Sequence, residues 1–176
     1  MMDVADVTQS LGKNFDDVRL LHGTSYKDCS TVIICPTRGK IHWKVVSSWQ
    51  GMIAPMNQKR LFLFCSGAEV GQAYTQMIMN ILNDKNLSNF KYVMTVEDDN
   101  IQPPDAHIRL LEAIEHGPGY DAVSGLYFTK GPIGMPMAYG NPEEFKATGQ
   151  LDFRPRNVVD AIDRGMLVEV NGIAMG

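Results

Sequence analysis

The chain has 176 residues, of which 44% are hydrophobic and 20% are charged, as in folded globular domains and unlike disordered chains. Sixteen basic and twenty acidic residues give a net charge of −4, which argues against a general nucleic-acid binder, because such proteins carry a basic excess. The apolar runs are far shorter than the roughly 20 residues of a membrane span. Residues 1–6 lack the basic and apolar parts of a signal peptide. We therefore predict a cytoplasmic protein without a membrane span.

The first half of the chain alternates strand-like and helix-like patterns. A polar lead-in, residues 1–30, holds a predicted short helix at 4–11. After it, continuous apolar or β-branched runs predict buried strands, and apolar residues at helical spacing predict amphipathic helices. In chain order these are a strand at 31–35, a helix at 42–53, a strand at 61–65 and a helix at 69–82. Cys35 and Cys65 fall inside the strand runs, so we expect both to be buried thiols.

The second half begins with the same alternation and then becomes irregular. A strand is predicted at 92–96, a helix at 105–115 and a fourth strand at 122–128. A long loop rich in Gly, Pro and Met covers 130–150. A short helix at 157–164 and a fifth strand at 166–170 complete the predicted elements.

Strands without alternation, separated by amphipathic helices, predict an α/β fold with a mostly parallel sheet covered by helices on both faces. In such sheets, ligands bind outside the carboxyl ends of the strands. Chemistry is therefore expected in the loops that follow the strands, which are 36–40, 66–71, 97–104 and 171–176.

One of these loops carries three consecutive carboxylates, Glu97, Asp98 and Asp99, directly after an apolar strand. Carboxylates at van der Waals distance repel each other, and near a desolvated sheet end a bound cation relieves that repulsion. Strand alternation would place Glu97 and Asp99 on one side and Asp98 on the other. Two oxygen ligands together with substrate phosphates are a common way to hold Mg²⁺ or Mn²⁺. The alternative is a solvated acidic turn without a ligand.

The stretch Tyr92-Val-Met-Thr-Val-Glu-Asp-Asp-Asn-Ile-Gln-Pro-Pro-Asp105 resembles the Asp-x-Asp (DxD) segment of GT-A-type glycosyltransferases, most of all the family 2 enzymes. Three other segments fall in matching order: 31–38 resembles the first strand and nucleotide loop, 120–128 the strand after the metal motif, and 168–176 the Gly-rich segment on the acceptor side. The resemblance implies a Rossmann-like nucleotide-diphospho-sugar transferase fold over residues 31–176.

The resemblance also implies a nucleotide-diphosphate sugar donor and an acceptor, which the sequence does not name. A divalent metal, Mn²⁺ or Mg²⁺, would stabilise the charge on the departing nucleoside diphosphate. Motif position makes Asp99 and Glu97 the metal ligands. The expected nucleotide-sugar contacts are Pro36, Thr37, Arg38, Glu69 and Asp98. Glu69 is a displaced substitute for the family's acidic residue after the second strand, and Asp98 would face the ribose or a neighbouring backbone amide. Arg38 would approach the base and ribose, or pair instead with a phosphate or with the acidic cluster. Gly172 falls on the acceptor side, and the flat rings of Tyr127 and Tyr139 suit contacts with the acceptor's sugar face.

No catalytic base is assigned. The resemblance places it downstream of the Gly-rich segment, beyond Gly176, so we expect this chain to be C-terminally incomplete or to work as a homo-oligomer. Two other functions stay open: a non-catalytic module that binds a nucleotide or nucleotide sugar, and a metal-dependent phosphate-ester hydrolase. Dehalogenase-like phosphatases are disfavoured because the first strand ends without an acid. A Walker phosphate loop is excluded because Ile41 follows Gly39-Lys40.

Overall fold

A computed structural model describes residues 28–117, 119–129, 131–152, 154–156 and 166–173. The chain divides into two compact units, Met1–Asp121 and Ala122–Gly176. The helices predicted at 4–11 and 157–164 lie outside the described residues. No helix within the described ranges is long and apolar enough to cross a membrane.

The first unit contains a three-stranded parallel sheet. Its strands are β1 (Thr31–Thr37), β2 (Arg60–Ser66) and β3 (Tyr92–Thr95), in the order β2-β1-β3. The register pairs Thr37 with Ser66, and Ile34 with Thr95. The three strands predicted in the first hundred residues are therefore confirmed as strands. Their predicted burial holds for β1 alone, because β2 and β3 are the outer strands of this sheet and contain only half-buried and exposed residues.

Three helices connect and follow these strands: α1 (Trp43–Gln50), α2 (Val70–Asn83) and α3 (Ala106–His116). A single 3-10 turn at Leu87–Asn89 precedes β3. All three helices were predicted from their apolar spacing and begin one residue after the predicted start. Two of them end within one residue of prediction, while α1 stops three residues early, at Gln50.

Alternate residues of β1 build two separate cores. Val32 and Ile34 pack with α2, while Ile33 and Cys35 pack with α1. Successive side chains of a strand point to opposite faces, so α1 and α2 cover opposite faces of the sheet. His107 of α3 lies 3.0 Å from the hydroxyl of Thr31, which shares the face of Ile33, so α3 packs on the α1 side. The α/β fold with helices on both faces is confirmed at this level.

The predicted burial of the two strand cysteines holds for one of them. Cys35 is fully buried at the centre of the sheet. Cys65 is half-buried, since it lies on β2, which among the described residues pairs with β1 alone. The prediction for Cys65 is wrong to that extent.

The second unit contains a small antiparallel arrangement. The two-residue strands β4 (Ala138–Tyr139) and β5 (Gly172–Ile173) pair with each other, and the chain at 154–156 pairs with the other edge of β4. Between them lies α4 (Pro142–Thr148), capped by the Asn141 side chain. The segment 130–150, predicted to be a long loop, therefore holds a helix and a strand.

Two further predictions of strands are wrong. Residues 122–127 form no ladder, and Phe128 pairs only locally, with Pro136. Gly125 interrupts that apolar run and weakens it as a strand. Residues 166–170 form no strand either. Their apolar run stops short of the ladder between β4 and β5. Among the described residues that ladder includes only Gly172 and Ile173 of this segment, because β4 ends at Tyr139, just before Gly140 with its φ of 75°.

Candidate functional site

Three of the four loops singled out by the sequence meet at one edge of the sheet. The parallel register brings the ends of β1 and β2 side by side, at Thr37 and Ser66. The Val96 amide donates to the Ile34 carbonyl at 3.0 Å and so continues the ladder one residue beyond β3. The chain therefore leaves all three strands at the same carboxyl edge, as predicted for 36–40, 66–71 and 97–104. Residues 171–173 of the fourth loop belong to the second unit.

The connections leaving β1 and β2 go to opposite faces, since β1 leads to α1 and β2 leads to α2. Neighbouring strands whose connections separate in this way leave a crevice between their loops, which is the usual ligand position in an open α/β sheet. The loop after β3 lies on the other side of β1 in the same row. A ligand in the crevice would meet residues that follow all three strands.

A hydrogen bond joins the acidic loop to the first loop. The backbone amide of Arg38 donates to Oδ2 of Asp98 at 3.1 Å. Asp98 and its neighbour Glu97 are half-buried, while Asp99 is exposed. β3 ends at Thr95 and residues 98–99 form a turn, so the predicted strand alternation does not extend to Asp99. Consecutive Asp and Asn residues favour such a turn.

The far end of the acidic loop is held against α1. The Gln102 amide donates to the Ser48 hydroxyl at 3.1 Å, and the Ile53 amide donates to the Pro104 carbonyl at 2.7 Å. The loop is thus held at Asp98 and again at Gln102 and Pro104, on either side of Asp99. Ser48 was not identified from the sequence. No local pattern points to it, because its partner lies 54 positions away along the chain.

The negative charges of the acidic loop affect a buried group of the core, the thiol of Cys35. Burial raises the pKa of the Cys35 thiol to about 12, and the charges of Asp98 and Glu97 add to that rise. Carboxylates that affect a group inside the sheet will also attract a cation from outside it. The negative charges of Asp98 and Glu97 thus act on the sheet interior as well as on this edge.

The five predicted nucleotide contacts lie at this edge and differ in their exposure and in the hydrogen bonds that they already form. Pro36 is buried in β1, and the Thr37 hydroxyl accepts a hydrogen bond from the Gly39 amide at 3.1 Å. The Glu69 carboxylate caps α2 by accepting from the amides of residues 71 and 72, at 2.9 and 3.2 Å. Asp98 holds the Arg38 amide, as described above. The Arg38 guanidinium, in contrast, is exposed and forms no ion pair with any described residue.

The donor set at this edge fits a metal that is shared with a phosphate ligand. Across the described ranges there is no group of three or more His, Cys, Asp or Glu side chains that could hold a metal ion by themselves. Glu97 and Asp99 offer two carboxylates. Mg²⁺ is usually bound through one or two carboxylates together with substrate phosphates and water. The residues present therefore suit a cation that arrives with a nucleoside diphosphate.

The residues predicted on the acceptor side lie in the second unit. Tyr139 and Gly172 face each other across the β4–β5 pair, and Tyr139 is bridged on its other side to Pro155. The Tyr127 carbonyl accepts a hydrogen bond from the Met137 amide at 3.0 Å. Both tyrosines are half-buried. The structure thus brings Tyr139 and Gly172 together, with a glycine opposite the ring.

Comparisons of this chain with protein-family models, with curated proteins and with solved structures return no match.

Proposed function

We propose that this chain provides the donor-binding part of a metal-dependent glycosyltransferase of GT-A type, which transfers a sugar from a nucleotide-diphosphate sugar to an acceptor. The observation that carries the proposal is the hydrogen bond from the Arg38 amide to Asp98. It holds the acidic loop against the loop that carries Arg38, at the edge where parallel sheets bind ligands. The Arg38 guanidinium is exposed and forms no ion pair with a described residue. Negative and positive groups placed together in this way suit a ligand that contains both a divalent cation and phosphates.

Each group has a distinct task in this function. Glu97 and Asp99 would hold the metal, Mn²⁺ or Mg²⁺, which as a Lewis acid stabilises the charge on the departing diphosphate. Arg38 would form an ion pair with a phosphate oxygen, since its side chain is exposed and its backbone amide binds Asp98 of the acidic loop. Asp98 keeps the two loops in register. In the reaction the bond between the anomeric carbon and the diphosphate oxygen would break, an acceptor hydroxyl oxygen would form the new bond to that carbon, and the hydroxyl proton would leave to a base or to water.

The proposal requires that metal and nucleotide bind together. Glu97 and Asp99 would supply only part of the ligands of a divalent cation, so Mn²⁺ alone should leave the unfolding temperature nearly unchanged. Mn²⁺ with a nucleoside diphosphate such as UDP or GDP, at about 100 times its dissociation constant, should stabilise the fold by roughly 2.7 kcal/mol. Thermal unfolding of one preparation with each component alone and with both measures this.

Matched variants assign the effect to the site. Asp99→Asn should abolish the joint stabilisation, whereas Asp121→Asn, which removes an exposed charge elsewhere in the same unit, should preserve it. Arg38→Gln should weaken nucleotide binding and leave the requirement for the metal. Absence of a shift with every nucleotide, or an equal shift in Asp99→Asn, would rule out the donor site.

Turnover separates the transferase from the other two functions. Release of nucleoside diphosphate from a nucleotide sugar, dependent on an acceptor, is expected of the transferase. Binding without turnover would identify a non-catalytic module. Release of inorganic phosphate from a monoester would identify a hydrolase.

A further inference from the structure

The edge strand β2 presents a complete row of backbone hydrogen-bonding groups. β1 pairs with all seven residues of β2 on one side, and within the described ranges no backbone group bonds to its other side. An unpaired strand of this length is a template for another strand. The remaining question is which strand fits it.

This edge lacks the usual protection against pairing. Natural edge strands are blunted by charges, prolines or bulges. From Leu61 to Ser66, β2 has none of these residues, and its pairing with β1 runs without a bulge. Leu61 is 37% exposed and Phe64 is 51% exposed. The rings of Phe62 and Phe64 stack on each other with centroids 6.2 Å apart, so an aromatic pair lies along the open edge.

We propose that β2 pairs with β2 of a second copy of this chain, antiparallel about a two-fold axis at Leu63, so that two three-stranded sheets become one of six strands. A two-fold axis perpendicular to the sheet keeps each face of the sheet continuous across the two copies. Paired residues must then be both odd-numbered or both even-numbered, so that their side chains lie on the same face. Centring on Leu63 is the register that pairs all seven residues.

The side chains of that register match. Phe62 meets Phe64 of the second copy, twice, on the same face of the sheet, and cross-strand aromatic pairs stabilise antiparallel sheets. Leu61 meets Cys65, and the two Leu63 residues meet each other. Arg60 meets Ser66 rather than a second arginine. The strand is therefore complementary to itself in both shape and polarity.

The charges that flank the strand agree with the antiparallel orientation. Lys59 and Arg60 lie at the amino end of β2, and Glu69 lies just beyond its carboxyl end. An antiparallel copy brings the basic end of one strand towards the acidic end of the other. A parallel copy would place like charges side by side, which is unfavourable. The charges thus favour a second copy in one orientation.

Sedimentation and a matched pair of charge variants test the dimer. As its concentration is raised to about 100 μM, the wild-type chain should sediment as a dimer. Phe64→Lys should weaken dimerisation by at least about tenfold, because it breaks two symmetry-related aromatic pairs and buries two charges. Met79→Lys places the same charge on the solvent-exposed side of α2 and should have no effect.

Cross-linking tests the register independently of the charge variants. Opposed Cα atoms in an antiparallel pair lie about 4.5 or 5.5 Å apart, within the range of a disulfide. Leu63→Cys in a Cys65→Ser background should therefore form a disulfide-linked dimer under mild oxidation, and Met79→Cys in that background should not. The proposal is overturned if the wild-type chain stays a monomer at the highest concentration or forms open-ended aggregates instead of a dimer. It is also overturned if the two Lys variants dimerise equally, or if the two Cys variants cross-link equally.

Discussion

Protonation of a single buried histidine should destabilise the first unit at mildly acidic pH. His107 is 2% exposed, and its Nε2 lies 3.0 Å from the Thr31 hydroxyl oxygen. That hydroxyl donates a hydrogen bond to the Cys29 carbonyl at 2.9 Å, so its oxygen must accept the hydrogen bond from His107. The neutral ring therefore carries its proton on Nε2. Its Nδ1 is buried and has no hydrogen-bond partner within the described ranges.

The magnitude follows from the shifted pKa. Burial lowers the pKa of His107 from 6.5 to about 4, and the charge of Arg60 adds to the decrease. Because the pKa is lower in the folded state, the stabilisation is fully present above pH 6.5 and is lost as the pH falls towards 4. A pKa difference of this size corresponds to about 3 kcal/mol, of which about 2 kcal/mol should already be lost at pH 5.

Urea unfolding at several pH values between 7.5 and 4 measures this loss. His107→Gln keeps an amide donor for Thr31 but does not titrate, so its stability should fall less than that of the wild type over the same range, by about 3 kcal/mol. The carboxylates titrate in both proteins, so their contribution cancels when the two pH profiles of the unfolding free energy are subtracted. NMR titration of the ring should give a pKa near 4. Parallel pH profiles for the two proteins, or a ring that titrates near 6.5, would refute the reasoning.

Three further variants test contacts that shape the two units. Asp98→Ala should lower the free energy of unfolding by about 1 kcal/mol, because it removes the acceptor of the Arg38 amide, and Asp98→Asn should restore most of it in the same denaturant titration. Glu69→Ala should cost about 1 kcal/mol by uncapping α2, with Glu69→Gln close to wild type; equal losses in both would argue against a capping role. Gly140→Ala should destabilise the second unit by about 2 kcal/mol or more, since Gly140 has a φ of 75° and an added Cβ would lie 2.5 Å from the Asp152 carbonyl oxygen. Hydrogen exchange measured unit by unit detects that loss, and unchanged protection there would contradict it.

The sequence predicted the first unit well because its elements are specified locally. The run 31–35 is continuous and β-branched, which is typical of a strand buried on both faces of a parallel sheet. Amphipathic spacing then placed α1 to α3 between and after the strands. Strand order was not predictable in the same way, since it depends on which edges meet. The position of α3 on the same face as α1 rests on contacts such as that between His107 and Thr31, 76 residues apart.

The second unit was predicted poorly, although one of its elements carried a local signal. Asn141 followed by Pro142, acidic residues in the first turn and Gly149 after the last turn is a complete set of helix start and stop signals, and α4 lies between them. The Gly- and Pro-rich composition of 130–150 concealed it. β4 and β5 have only two residues each, too few for any periodicity, so no pattern could have identified them.

The geometry changes which predicted nucleotide contacts are available to a ligand. Motif position alone left Asp98 facing either the ribose or a neighbouring backbone amide, because position cannot show what a side chain already binds. In the fold, Glu69 is occupied as the cap of α2, and Asp98 holds the Arg38 amide. A carboxylate that leaves its own helix to meet a nucleobase would expose backbone amides that it now satisfies. Under the proposed function, recognition of the base would therefore fall to groups other than Glu69, and Arg38 would be the side chain whose removal should affect nucleotide affinity most directly.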